Sequence, residues 1–156
     1  MIFVTIGLMY GFDRLIKEMD EIAQRIDEKV IMQIGESSYI PKNAEYLKFA
    51  SKEVMDSLYE RSRVVVCHAG TGSILSAMEH CKPIIVVPRR VKYGEHIDDH
   101  QLDIAGELEK EDLITVVHDV SEIEKLLQNI STTYDKKIGS TKILVKKLKE
   151  YINGLE

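Results

Sequence analysis

The chain has 156 residues, with 26 acidic against 21 basic side chains and a formal net charge of -5. That length suits one domain, 1–156, with a sizeable core, and the composition excludes a disordered, collagenous or disulfide-built chain. The acidic balance argues against a nucleic-acid binder, which needs a net basic face, and leaves room for a small anionic ligand.

Met1 to Ile6 is apolar, lacks a basic leader and stops at Gly7, so it reads as a first strand rather than a signal peptide. Phe12, Leu15, Ile16, Met19, Ile22, Ala23 and Ile26 recur at three- and four-residue spacing, which predicts one buried stripe on a helix. Val30 to Ile34 is the second strand and Tyr46 to Ala50 a weaker third. Ser51 then has the chemistry of an N-cap, with Val54, Met55 and Leu58 opening the next apolar stripe. Val64 to Cys67 is a central strand, and a helix from about Ser73 to His80 leads to Pro83. Ile84 to Val87 forms another β-branched run, bounded by Pro88. Leu102 to Leu108 sits in a helix, Leu113 to Val117 is the last strand, and two helices follow from about Ser121 and about Ser140. This alternation is that of an α/β fold, a doubly wound parallel sheet covered on both faces.

Cys67 and Cys81 form no CxxC pair and read as free thiols in a reducing compartment. No apolar stretch approaches the roughly 20 residues of a spanning helix, so a soluble chain with only peripheral membrane contact is expected. The tail carries Lys136, Lys137, Lys142, Lys146, Lys147 and Lys149 against Asp135, with Ile143, Leu144, Leu148, Tyr151 and Ile152 as apolar positions. A solvated face over the core and a contact with an anionic membrane or a partner subunit are both compatible with that pattern.

The chemistry concentrates between Val64 and Gln101. A buried strand breaks into His68-Ala69-Gly70-Thr71-Gly72-Ser73 and then a helix, the junction at which glycines admit a ligand to the backbone and a helix start offers N–H groups to an anion. A tight turn with no ligand is the plainer reading of the same glycines. Leu75 stands where a dinucleotide fingerprint needs its third glycine, and neither a P-loop nor a GxSxG elbow is present. His68, at the ligand edge, either donates to a phosphate and shuttles a proton or simply bonds loop carbonyls. Ser73 fits a ligand contact, an N-cap, or both. Arg89 and Arg90 leave a strand directly, and a guanidinium there suits a diphosphate, with one of the pair solvated. His100 and Gln101 carry donors and acceptors for sugar hydroxyls. His96, Asp99 and His100 have a spacing that a metal tolerates, but Ile97 stands where a zincin has its glutamate, so no metal site is expected.

With Phe3-Val4-Thr5-Ile6-Gly7, Phe12-Asp13-Arg14-Leu15-Ile16, His68 to Ser73, Val87-Pro88-Arg89 and Gly94-Glu95-His96-Ile97-Asp98-Asp99-His100-Gln101 in view, nearly the whole chain resembles the carboxyl-terminal, donor-binding half of family 28 glycosyltransferases. It looks most like the stand-alone halves that work as subunits in polysaccharide and lipid-linked sugar synthesis. The resemblance implies the Rossmann-like C-terminal half of a GT-B enzyme, with inverting, metal-independent transfer, no cofactor, and a UDP-sugar as substrate. It places Gly7, Gly70, Thr71, Gly72 and Ser73 at the diphosphate, and His100 and Gln101 at the donor sugar. Two places depart from the family pattern: Leu8 and Gly11 replace a Thr and a Pro of the first loop, and Ser76 replaces a ribose-binding glutamate. The second departure leaves nucleotide preference open.

The expected function is therefore the donor-binding, catalytic subunit of a two-component transferase, active with a membrane-anchored, acceptor-binding partner at the cytoplasmic membrane face. No base for the acceptor is evident in the chain, beyond His68 as a possible catalytic residue. A non-catalytic nucleotide-sugar-binding regulatory subunit is the alternative, and a sugar-nucleotide epimerase half shares the architecture. Donor sugar and acceptor are not encoded in any motif.

Overall fold

The computed structural model describes residues 1–130 together with 145, 146, 148–150, 153 and 154. Six parallel strands form one sheet: β1 (Ile2–Thr5), β2 (Val30–Gln33), β3 (Glu45–Leu47), β4 (Val64–His68), β5 (Ile84–Val87) and β6 (Thr115–Val116), in the order β3-β2-β1-β4-β5-β6. Between them run α1 (Asp13–Arg25), α2 (Lys52–Arg61), α3 (Thr71–Glu79) and α4 (His100–Lys110), with α5 (Ile123–Asn129) after β6. Ile2 lies level with Val30 on one side and Val64 on the other, so the three central strands end together.

Strand side chains alternate between faces, and both faces are buried. Ile2, Val4, Val64, Val66, Ile85 and Val87 pack beneath α1 and α5, while Phe3, Val65, Cys67, Ile84 and Val86 pack beneath α2, α3 and α4. Four central strands are buried along their length, which is why they read as nearly continuous apolar runs. The two edge strands are half-open and shorter than expected, because one covered face gives each fewer apolar positions: β3 stops at Leu47, leaving Phe49 48% exposed, and Leu113 and Val117 flank β6 rather than extend it.

Two helix starts differ from the sequence expectation: Gly70, not Ser73, is the N-cap of α3, and α5 begins at Ile123 after a 3-10 turn at Val120–Glu122, whereas α4 contains Leu102 to Leu108 as expected. Ser51 does cap α2, accepting from the Val54 N–H at 3.3 Å. Both cysteines are free; burial pushes the Cys67 thiol up to about 12, so it is inert at neutral pH. Leu148 packs into the second core cluster, and Lys146 and Lys149 are exposed. The helix start at Ser140 and the remaining tail positions singled out above lie outside the described residues. Among the described residues no helix is long and apolar enough to cross a membrane.

The connection from β2 to β3 is held by a buried carboxylate on α1. Asp20 accepts from the N–H groups of Lys42, Asn43 and Ala44 at 2.7–3.1 Å and from the Tyr39 hydroxyl at 2.8 Å. Burial alone pushes its pKa up, but together those bonds outweigh burial and hold the carboxyl below its ordinary value. Its contribution to stability is thus complete above the usual carboxylate range and lost as pH falls through the lowered pKa. Asp20→Asn should lower unfolding free energy by about 2–4 kcal/mol, read from urea midpoints at pH 7, and the gap from wild type should narrow below pH 4. A constant gap down to pH 3 would contradict this.

Candidate functional site

The order of the sheet reverses at β1 and β4, so their carboxyl ends open a crevice between two loops that leave in opposite directions. At the end of β1 the chain turns through Gly7 at φ +77, where a Cβ would also approach the His68 ring to 2.9 Å. Gln33, at the end of β2, accepts from the Thr5 hydroxyl at 2.7 Å and donates to the carbonyls of Gly7 and Lys48 at 3.0 and 2.9 Å. The strand ends are therefore tied to one another directly beneath the crevice.

Arg89 holds the same loop from the other side. It is 2% exposed, and its guanidinium donates to the carbonyls of Gly11, Ile6 and Tyr10 at 2.5, 2.7 and 2.9 Å while lying over the Phe12 ring. Burial draws its pKa down to about 10, against the pull of Glu95, and it stays a cation at neutral pH. The grip on a diphosphate expected of Arg89 is thus not what its side chain does here: its guanidinium bonds to the carbonyls of the β1–α1 loop, which makes it a positioning residue. Its own N–H donates to Gln101 Oε1 at 3.0 Å, so that buried side chain is engaged with the same clamp. His100, the first residue of α4, is exposed, 3.9 Å from Asp98 and 3.8 Å from Asp103.

At the end of β4 the His68 ring is buried with no hydrogen-bond partner for Nδ1. A Cβ on Gly70 would overlap the ring at Nε2, so Gly70 is glycine to make room for an imidazole. Burial lowers the His68 pKa to about 3, reinforced by the charges of Arg89 and His96 and opposed by the nearby Thr5 carbonyl, which lies outside hydrogen-bond geometry. The ring is therefore neutral at physiological pH, able to give one hydrogen bond but not a positive charge, and poorly suited to shuttle a proton.

Helix α3 starts immediately after it. No side chain caps the helix, its first turn holds no acid, and its first internal bond runs from the Ile74 N–H to the Gly70 carbonyl at 3.1 Å. The amides of Thr71, Gly72 and Ser73 consequently have no acceptor within the helix, and they carry the positive end of its dipole. A Cβ on Gly72 would meet nothing within 4 Å. Ser73 is the third helical residue, and its hydroxyl, with those of Ser76 and Thr5, sits by the buried Tyr59 hydroxyl; burial pushes that group's pKa up and these neighbours oppose the shift.

The structure brings Gly7, His68, Gly72 and Ser73 to one cavity of about 570 Å³, with Ser76, Gln33 and Tyr59 also in its wall. Gly70 and Thr71 join the lining residues in sequence. Arg89, His100 and Gln101 are not in this wall. Gln33, Tyr59 and Glu79 were not among the candidates from sequence, and only their proximity in space marks them. A second cavity of about 460 Å³ lies beyond Gly11, walled by Arg14, Tyr93 and Glu95, but Arg14 is paired there with Glu95 at 2.6 Å. His96 and His100 both turn to Asp98, while Asp99 accepts from the Val91 N–H; among the described residues no three His, Cys, Asp or Glu gather as a metal set. Chemically, the crevice offers uncapped backbone N–H groups, which can accept an anion, beside a volume typical of small-molecule sites.

Comparison with known proteins identifies the family and the fold. Residues 1–151 match the model of the glycosyltransferase family 28 C-terminal domain. The human UDP-N-acetylglucosamine transferase subunit ALG13 is 32% identical over 121 residues, covering 70% of this chain and 10% of that protein. The Candida albicans protein of the same name is 27% identical over 110 residues, covering 70% and 34%. This chain thus spans about a tenth of the human relative and about a third of the Candida albicans one. Among solved structures, the solution structure of ALG13 superposes with a TM-score of 0.60 at 19% identity, covering 92% of this chain and 94% of that one. Acinetobacter baumannii MurG superposes with a TM-score of 0.61 at 14% identity, covering 95% and 49%. At these identities the structures establish a shared fold, the Rossmann-like half of the GT-B type.

The packing of His68 separates the two loop glycines. Gly70→Ala should cost about 1–3 kcal/mol by overpacking, measured by urea unfolding, whereas Gly72→Ala should keep wild-type stability. Equal losses at both positions would contradict the arrangement.

Proposed function

From the premise that this chain belongs to glycosyltransferase family 28 as its C-terminal domain, we propose that it is the donor-binding, catalytic subunit of a two-component transferase that moves a sugar from a UDP-sugar to a lipid-linked or polysaccharide-precursor acceptor. The observation that carries this is the uncapped start of α3, opening on a cavity at the point where the sheet reverses. As the glycosidic bond to UDP breaks, negative charge grows on the departing β-phosphate. The Thr71, Gly72 and Ser73 amides and the helix dipole are already aimed there, so they stabilise the transition state more than the ground state. The neutral His68 ring adds a hydrogen bond without changing the site's charge. In this proposal no metal or cofactor is invoked.

Attack by the acceptor hydroxyl needs a base on the far face of the sugar. His68 is buried against Gly7 and Gly70 on the phosphate side and holds a proton weakly, so the base and the acceptor are assigned to a partner. The relatives' name, UDP-N-acetylglucosamine transferase subunit, supports a partner and puts UDP-N-acetylglucosamine first among donors to test. We place the membrane anchor on that partner, with this chain held at the cytoplasmic face. His100 and Gln101, at the start of α4, remain the proposed contacts of the donor sugar.

Calorimetric titration of the full chain tests the cradle. UDP should bind wild type, and Gly72→Val, whose side chain would cover the amides, should bind at least about tenfold more weakly, a loss of roughly 1.4 kcal/mol, with unchanged unfolding. An unchanged affinity in that variant would refute the site. The chain alone should consume donor slowly and accelerate when co-expressed with its acceptor-binding partner. Donor binding with no transfer in either state would identify a regulatory subunit instead.

A further inference from the structure

Outside the phosphate cavity, the loop between β5 and α4 is built around a single buried carboxylate. Glu95 accepts from Arg14 Nε at 2.6 Å on one oxygen and from Arg14 Nη2 at 3.0 Å on the other, and it also accepts from the Arg90 backbone N–H at 2.9 Å. The loop closes on itself there. The Arg90 carbonyl accepts from the N–H groups of Tyr93 and Glu95, and Gly94 turns the chain between them at φ +67. The Tyr93 ring lies against the Arg14 guanidinium, 4.6 Å from its centroid to the central carbon.

Arg14 does nothing for its own helix. As the second residue of α1 it meets the positive end of the dipole, where a cation is unfavourable. Its guanidinium also donates to the carbonyls of Pro88 at 3.2 Å and His118 at 3.4 Å, so it fastens the closed loop to α1 and to the chain beyond β6. What the loop carries onward is the start of α4. Asp99 accepts from the Val91 N–H at 2.9 Å and Gln101 from the Arg89 N–H at 3.0 Å, which ties the end of the segment 95–101 back to residues 89–91. Those bonds keep the segment in shape, and the Arg14 fork on Glu95 attaches it to the neighbouring helix. With its oxygen taken, Gln101 keeps its N–H donors for a ligand, and His100 is exposed beside it. Hydrogen bonds from such groups weaken steeply when donor and acceptor are misaligned.

We propose that Arg14 and Glu95 are a positioning pair that sets His100 and Gln101 against the donor sugar without touching the nucleotide. This rests on the reading of the crevice as a UDP-sugar site. Neither residue lines the cavity at the α3 amides, so loosening the pair should weaken the sugar's contribution to binding and spare that of the diphosphate. Misplacing one or two hydrogen bonds corresponds to a loss of about fivefold to tenfold in affinity.

The test is calorimetric titration of the full chain with UDP and with UDP-N-acetylglucosamine, in wild type, in Glu95→Gln and in the double variant Arg14→Met/Glu95→Gln. Glu95→Gln keeps the volume and an oxygen for the Arg90 N–H but loses the charged fork; the double variant removes both charges, so neither is left unpaired in a buried place. The affinity for UDP reports that each variant is folded, and the ratio of the two affinities is the readout. In both variants UDP should bind within about twofold of wild type, while UDP-N-acetylglucosamine should lose at least about fivefold relative to UDP. A ratio unchanged in either variant, or UDP losing as much as the sugar nucleotide, overturns the assignment. So does a wild type that binds UDP but not UDP-N-acetylglucosamine, and in that case the UDP site stands. Failure of wild type to bind UDP at all overturns both readings.

Discussion

Three amide N–H groups at the start of α3 have no acceptor inside their own helix, and the loops around them are shaped to keep them open. Gly70 caps the helix without a side chain that might bond back, and Gly72 adds no atoms above the amides. The serine that a capping rule would place in that role sits one turn inside, beside Tyr59. Such a terminus is costly to bury without partners, and here it faces a cavity. Its positive potential is intrinsic to the backbone, so it needs no charged side chain to meet an anion.

That opening depends on a second constraint, the rigidity of the loop opposite. A buried guanidinium is unfavourable unless its donors are met. Arg89 satisfies them with three consecutive-loop carbonyls from Ile6, Tyr10 and Gly11, and through its backbone reaches Gln101 on α4. One residue thereby links the end of β1, the end of β5 and the start of α4, the three elements that frame the crevice on that side. His68 completes the frame: with Gly7 on one side of its ring and Gly70 on the other, it sets the spacing between the two loops that flank the crevice. The same residues that shape the site are therefore part of the packing, and their substitution must be judged by binding and stability together.

Much of this architecture was legible in the sequence because the signals were local. The runs Ile2 to Thr5, Val64 to Val66 and Ile84 to Val87 are buried on both faces and carry no polar interruption. The stripe from Phe12 to Ile22 repeats at helical spacing. The strand, glycine and helix sequence at His68 to Ser73 is local too, and in the structure it runs along one wall of the cavity. What local signals did not convey were side-chain directions set across the fold. Arg89 and Gly11 are 78 positions apart, and nothing in Val87-Pro88-Arg89 says that the guanidinium turns inward to carbonyls instead of outward to a ligand. Gln33, Tyr59 and Glu79 enter the wall from three different elements, each of which reads as ordinary strand or helix. Ser73 looked like a cap because hydroxyls favour that place, yet the steric demand of the His68 ring puts a glycine there.

The central claim is that a nucleoside diphosphate rests on the first turn of α3. Titrating UDP into the isotopically labelled chain and following amide 15N–1H shifts reads those very N–H groups. The account predicts the largest shifts at Thr71, Gly72 and Ser73, with Gly7 moving beside them. Unmoved signals there, with the changes gathered around Arg14, Tyr93 and Gly94 at the second cavity, would contradict it.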